Sequence, residues 1–112
     1  MVKKQSQIDK IIRNLIVNLK RKGIKVNKLI LYGSYANGNP KSDSDIDVAV
    51  ISSNFNNKNL LKRQELLGEA IFGLGEPIEA IGYSYREFIN RHKLSFLFDI
   101  ASSGKTVYQE QN

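Results

Sequence analysis

The sequence has no cysteine, so it offers neither a disulfide framework nor a thiolate zinc site and implies nothing about an oxidising compartment. Histidine is nearly as scarce. His92, the single one, stands between Arg91 and Lys93 with no second ligand or nucleophile beside it, which argues against a histidine-centred catalytic site. No apolar run approaches the roughly 18 residues of a membrane span, and Met1-Val2-Lys3-Lys4 is followed by polar Gln5-Ser6-Gln7 where a secretory leader needs apolar residues. A soluble, cytoplasmic protein is expected, with no membrane partner. Repeats, linkers and low-complexity blocks are also missing, and 112 residues read as one domain, 1–112, with no room for a separate substrate domain.

Acid is the minority charge. Against 17 Lys and Arg stand 11 Asp and Glu, giving a net charge of +6 and a pI near 9.6. This balance favours anionic partners such as nucleotides, RNA or an acidic protein without choosing among them. Much of the positive charge lies in Lys3, Lys4, Lys10, Arg13 and Lys20-Arg21-Lys22, where lysine also serves as the solvated face of a helix.

Among so few acids, the placement of Asp45 and Asp47 stands out. The stretch Leu29–Ile51, LILYGSYANGNPKSDSDIDVAVI, has an apolar run that ends in Gly33-Ser34 and a second apolar run opened by two carboxylates one residue apart. The first run, Leu29 to Tyr32, reads as a buried strand stopped by Gly33. Ser34 is the expected N-cap of a short Tyr35-Ala36-Asn37 turn whose free N–H groups suit a phosphate. Gly38-Asn39-Pro40 marks a loop, and Asp45 to Ile51 reads as a strand entering a core. Strand alternation then puts Asp45 and Asp47 on one face, with Cα atoms on the order of 7 Å apart, and Ile46, Val48 and Val50 on the other. Two carboxylates crowded on one face repel unless a cation neutralises them or one stays protonated. A hard divalent ion such as Mg²⁺ suits carboxylate oxygens plus substrate phosphates. Asp-x-Asp alone also fits a solvated strand start; the combination of strand, Gly-Ser, ten residues and Asp-x-Asp leading a second strand is more specific.

The segment GSYANGNPKSDSDIDVAV resembles the signature of the DNA polymerase beta nucleotidyltransferase superfamily, and within it the minimal nucleotidyltransferase (MNT) branch. Gly33, Ser34, Asp45 and Asp47 match residue for residue. The resemblance implies Mg²⁺-dependent transfer of a nucleoside monophosphate from a nucleoside triphosphate, ATP by expectation, to an acceptor hydroxyl. In-line attack on the α-phosphate would release pyrophosphate, with two Mg²⁺ ions on Asp45 and Asp47 and the β and γ phosphates on the Gly33 N–H and Ser34. The resemblance also implies a partner, since short MNT proteins commonly pair with small helical HEPN-type proteins as antitoxin and toxin. Two other readings remain: a non-catalytic MNT-like module that binds nucleotide or masks a partner, and a small-molecule nucleotidyltransferase of the aminoglycoside type, which needs an acceptor domain. A protein tyrosine, an RNA end and a small molecule all stand as acceptors.

The remaining elements frame this stretch. Ile8, Ile11, Ile12, Leu15, Ile16 and Leu19 recur at helical spacing and predict an amphipathic helix over 4–22 ended by Gly23, followed by a first strand over 25–32. A polar, Asn-rich loop over 52–59 leads to a helix over 60–72, whose expected apolar face is Leu60 or Leu61, Leu67, Ala70 and Ile71. Ile78 to Tyr83 reads as a third strand despite Ala80 and Gly82. Ser84 and Glu87 form a capping box, so a helix should begin at Tyr85 and run, with a break, through Leu94 to Ile100; Thr106 to Tyr108 is a last short strand or a tail. This order predicts an α/β (α+β) fold, a small mixed sheet with helices mainly on one face, which the resemblance names as the polymerase beta-like nucleotidyltransferase fold. In the third strand Glu79 shares a face with Ile81 and Tyr83, opposite Ile78, Ala80 and Gly82. The family commonly places an acid there, so the resemblance makes Glu79 a third metal ligand or the base for the acceptor hydroxyl, with Glu in place of the commoner Asp. Glu76 sits in the Gly-Pro turn and is the weaker rival; Asp43 reads as loop surface. Tyr32, Tyr35, Tyr83 and Tyr85 are candidates for stacking a base, or for rim packing.

Overall fold

The computed structural model describes residues 2–111. Helix α1 (Gln5–Arg21) is followed by strand β1 (Lys28–Tyr32), the single-turn helix α2 (Ser34–Asn37) and strand β2 (Ile46–Ser52). A 3-10 turn over Ser53–Phe55 then leads to helix α3 (Leu60–Phe72), strand β3 (Ile78–Ser84), helices α4 (Tyr85–Ile89) and α5 (Phe96–Ser103), and strand β4 (Lys105–Gln109). The strands form one sheet in the order β3-β2-β1-β4. β1 runs antiparallel to both neighbours, whereas β2 and β3 are parallel, joined by the crossover through α3. The sheet is therefore mixed, as expected.

Alternation along the strands divides the side chains cleanly. Leu29 and Leu31 of β1, Ile46, Val48 and Val50 of β2 and Ala80 of β3 pack with the Ile8–Leu19 stripe of α1 and with Leu67 and Ala70 of α3 in the main core. Each such Leu or Ile contributes about 1.5–3 kcal/mol by leaving water. The opposite face carries Ile30, Ala49 and Ile81, covered by Ile100 of α5, and has Tyr32, Tyr83 and Phe88 around it. Helices thus cover one face fully and the other only in part, which leaves room on the second face for a site.

Several local expectations shift. β1 starts at Lys28 rather than Lys25, and β2 at Ile46 rather than Asp45, so Asp45 lies in the segment that leads into the strand. Ser34 does not cap α2. Gly33 is the N-cap, with φ 76° and ψ −154°, and no side chain caps that helix. The stretch 53–55 is a 3-10 turn rather than open loop, capped by Ser52 accepting from the Asn54 N–H. Helix α3 has its expected bounds, but Leu60 and Leu61 are 68% and 70% exposed, and Arg63, only 6% exposed, takes the inward position. Its guanidinium donates to the carbonyls of Lys58 (2.9 Å) and Phe55 (3.0 Å) and to Glu87 (2.6 Å), tying the 3-10 turn and α4 to α3.

Small residues in β3 have a packing reason. A Cβ on Gly82 would come within 2.9 Å of the Phe55 ring and 3.1 Å of Leu67 Cδ1, so α3 lies against β3 at this point only because the side chain is missing. The Ser84/Glu87 capping box forms as expected: the Ser84 hydroxyl accepts from the Glu87 N–H (3.0 Å) and the Glu87 carboxylate accepts from the Ser84 N–H (2.6 Å). α4 and α5 are separate helices, broken over 90–95, and 105–109 is a true strand. Among the described residues no helix is long and apolar enough to cross a membrane.

Candidate active site

Pairing across the sheet assembles the acids. Tyr32, the last residue of β1, stands opposite Asp47 of β2, and Asp47 stands opposite Glu79 of β3. Neighbouring strands are about 4.8 Å apart, so the Asp47 and Glu79 carboxylates are side by side on the partly covered face. The sheet itself therefore brings Glu79 to Asp47, although 31 residues separate the two in the chain. Asp45, exposed in the segment before β2, is near enough for its charge to act on Asp47.

Gly33 completes the corner. Its φ and ψ fall in a region that glycine alone occupies comfortably, and its Cα lies against the Asp47 side chain. The carbonyl of Gly33 accepts from the N–H groups of Ala36 (3.1 Å) and Asn37 (3.0 Å), which starts α2 directly beside Asp47. At a helix start the first N–H groups have no partner within the helix, so the turn presents donors next to the carboxylates.

The electrostatics are those of a cluster without a counter-charge. Burial, then Glu79, then Asp45 push the Asp47 carboxyl above its ordinary value. The Tyr32 hydroxyl is pushed up to about 12 by burial and then by Asp47, Glu79 and Tyr83. Tyr83, on the Glu79 face of β3, is likewise raised, by burial and by Glu87. Among the described residues none of Asp45, Asp47 or Glu79 forms an ion pair with a Lys or Arg, even though basic residues outnumber acidic ones in the chain. A protein with cations to spare that leaves three acids unpaired at one corner has a donor set suited to an external cation. The set is incomplete as a cage. Among the described residues no three acid or histidine side chains converge closely enough to hold a metal by themselves. That agrees with the preference of Mg²⁺ for one or two carboxylates plus water and substrate oxygens.

Glu76 is not part of this corner: it pairs with Lys3 at 3.7 Å. Asp43 is exposed in the loop before Asp45, as expected of loop surface, and His92 accepts from the Leu94 N–H in the turn before α5. Tyr35 packs on the main core and accepts from the Lys3 N–H, and Tyr85 lies beside Lys25, Lys28 and Glu110 at the far end of β1, so Tyr32 and Tyr83 are the candidates on the carboxylate face. Phe96 of α5 adds an aromatic wall that local pattern does not single out. Its ring meets Tyr32 edge-on, with centroids 5.8 Å apart and planes at 86°. The signal for Tyr32 and Tyr83 was strand alternation; for Phe96 there was none, because α5 reaches β1 only through the fold.

The fold is shared with known proteins. The chain has the fold of a candidate nucleotidyltransferase from Sulfolobus solfataricus, at 19% identity and a TM-score of 0.59, over 98% of this chain and 93% of that one. It also has the fold of a toxin–antitoxin structure solved with AMP-PNP, at 22% identity and a TM-score of 0.61. A toxin–antitoxin MntA-HpeT mutant with two Asp-to-Glu substitutions two positions apart is similar at 20% identity and a TM-score of 0.59. Each of these two matches covers 88% of this chain and 73% of the other. No curated protein matches the sequence significantly. Residues 13–112 match the family described as "Polymerase beta, Nucleotidyltransferase", and the chain belongs to that family.

Proposed function

We propose that this chain moves a nucleoside monophosphate from a nucleoside triphosphate, ATP by expectation, to a hydroxyl of a partner protein. The observation that carries the reading is the Asp47–Glu79 pairing across β2 and β3, beside the Gly33 turn and, among the described residues, without a basic partner. Asp45 and Asp47, with Glu79 as a third ligand or as base, would hold Mg²⁺, two ions in the full site, which when bound lowers the pKa of the acceptor hydroxyl and offsets charge on the departing pyrophosphate.

The chain's own groups have distinct tasks. The N–H groups at Gly33 and Ser34 hold the β and γ phosphates, which fixes the α-phosphate in front of the carboxylates. The acceptor oxygen bonds to the α-phosphorus as the bond from that phosphorus to the pyrophosphate oxygen breaks, and Glu79 takes the hydroxyl proton. Tyr32 keeps its proton at neutral pH, as a phenol ordinarily does and the more so because burial, then Asp47 and Glu79, raise its pKa, so it offers a hydroxyl donor at the site.

Two features of the neighbours support the finer reading. The toxin–antitoxin structure holds AMP-PNP, which favours a nucleoside triphosphate as donor, and the MntA-HpeT mutant alters two aspartates at the spacing of Asp45 and Asp47. The partner named by this reading is a small helical HEPN-type toxin, with this chain as antitoxin. The test is to co-express the chain with the protein encoded beside it, add ATP and Mg²⁺, and record pyrophosphate and intact masses. One added nucleoside monophosphate on the partner, lost in Asp47→Asn, is the expected result. A stable complex that releases no pyrophosphate and gains no mass would make the chain a non-catalytic masking module instead.

A further inference from the structure

The connection between α4 and α5 displays apolar side chains and holds them in place. Leu94 is 89% exposed, Phe96 57% and Ile89 56%. They are not on a frayed segment. The His92 carbonyl accepts from the Ser95 N–H (3.0 Å) and hydroxyl (2.7 Å), the Ser95 hydroxyl accepts from the Phe98 N–H (3.0 Å), and Arg91 donates to the Phe88 carbonyl (2.7 Å). The core does not require these residues, since Leu97 and Ile100 are the side chains by which α5 is buried. The turn is therefore ordered by its own hydrogen bonds while it keeps three apolar side chains in water, which makes it a candidate contact surface.

Charge and position narrow what it meets. The segment from Ile89 to Leu97 contains Arg91, His92 and Lys93 and no acid. Among the described residues neither Arg91 nor Lys93 forms an ion pair. Arg91 instead lies over the Phe88 ring, 4.4 Å from its centroid, with Lys28 Nζ 5.0 Å from the same centroid. An apolar centre with unpaired cations around it is the anatomy of one half of a protein interface. Ile89 and Leu94, the aliphatic part of the patch, offer no plane for a base to stack on and suit a protein's apolar face better than RNA, while Arg91 and Phe96 would serve either. The patch is continuous with the site: Phe96 meets the Tyr32 ring, and Tyr32 pairs with Asp47.

We propose that residues 89–96 are the docking surface for the protein that carries the acceptor hydroxyl, a partner whose contact face has an apolar centre edged by Asp and Glu. The inference rests on the transfer reading above. It adds the location of the partner and the chemistry of its face. Docking at Leu94 and Phe96 sets the partner against the aromatic wall beside Asp47, which is where an acceptor must be held.

The test places a photo-crosslinking amino acid at position 94 of the full chain in its host cell, with position 72 as the control. Phe72 is 90% exposed and lies on α3, behind the opposite face of the sheet. The expected result is one protein crosslinked from position 94 and not from 72. Once purified, that protein should gain a nucleoside monophosphate from the wild-type chain with ATP and Mg²⁺. Its affinity should fall on the order of tenfold or more in Leu94→Asp and in the double variant Arg91→Glu/Lys93→Glu, each still folded by circular dichroism. Crosslinks to RNA, to a second copy of this chain, or to the same products as position 72 overturn the proposal. So does an acceptor protein whose affinity ignores these substitutions. A protein that binds with this dependence yet gains no nucleotide supports the docking surface and overturns the transfer reading.

Discussion

The Cα of Gly33 lies against the carboxylate of Asp47, so that a methyl group there would overlap Oδ2 and come within 3.2 Å of Cγ. Two demands meet at this residue: a backbone conformation reserved for glycine, and contact with an acid of the site. The register explains both, since Tyr32 pairs with Asp47 and the chain must leave β1 directly in front of that side chain.

Gly33→Ala should therefore do two kinds of damage. The strained φ costs about 1–3 kcal/mol of stability, and displacement of Asp47 removes nucleotide transfer. Urea denaturation and a pyrophosphate assay measure the two separately. An alanine variant with wild-type stability would show that the turn is not held as described.

Arg63 is a structural clasp rather than part of the site. Arg63→Ala should destabilise the protein by about 2–3 kcal/mol, chiefly because the carbonyls of Phe55 and Lys58 lose a donor where the helix packs; Glu87, 45% exposed, loses its cation at smaller cost. Arg63→Lys should recover only part of this, as an ammonium cannot reach separate acceptors in the same way. A loss below about 1 kcal/mol for the alanine variant would contradict the clasp.

Glu87 adds a pH signature. Burial works to raise its pKa, but the Ser84 N–H, the Arg63 guanidinium and the Ser84 hydroxyl together pull it below the ordinary 4.5. The folded state then holds fewer protons than the unfolded chain between the two values. The stability from Glu87 is present above the unfolded pKa and disappears as pH falls through the folded one. Denaturation midpoints recorded from neutral pH into the acid range should drop less steeply in Glu87→Gln than in wild type; equal slopes would refute the assignment.

Local pattern made much of this legible and long-range register made the rest. The Ile8–Leu19 stripe, the bounds of α3 and the Ser84/Glu87 box depend on neighbours a few residues apart, which the sequence displays directly. The same holds for Gly33-Ser34 and Asp45-x-Asp47. Arg63 was hidden because its acceptors belong to the 3-10 turn and its anion to α4, while Leu60 and Leu61 have the right spacing for a core they do not reach. Ser34 reads as a cap by residue type, yet the cap position falls to Gly33 because β1 runs to Tyr32 and leaves a single residue for the reversal. The side-by-side placement of Asp47 and Glu79 follows from the parallel pairing of β2 with β3, and Phe96 reaches Tyr32 through the packing of α5. Neither is a property of any short window.

Neutralising an acid of the site should trade function against stability. Asp47 has its pKa raised by burial, Glu79 and Asp45, so its charged form is disfavoured in the folded protein when no divalent cation is present. The sign follows from linkage: the folded state holds more protons than the unfolded one between the unfolded and folded pKa values, and stability falls as pH rises through that window. Asp47→Asn removes both the charge and the window. In the presence of a chelator the variant should melt at or above the wild-type temperature at neutral pH, and the difference should shrink as pH falls below the unfolded carboxylate range. With Mg²⁺ and ATP the same variant should transfer no nucleotide, Asp45→Asn should behave likewise, and Glu79→Gln should slow turnover. Calorimetry in chelator alongside a pyrophosphate assay gives both halves. An Asp47→Asn protein that is less stable than wild type in chelator would mean that Asp47 has a stabilising partner, and one that keeps activity within a few-fold would remove it from the metal site.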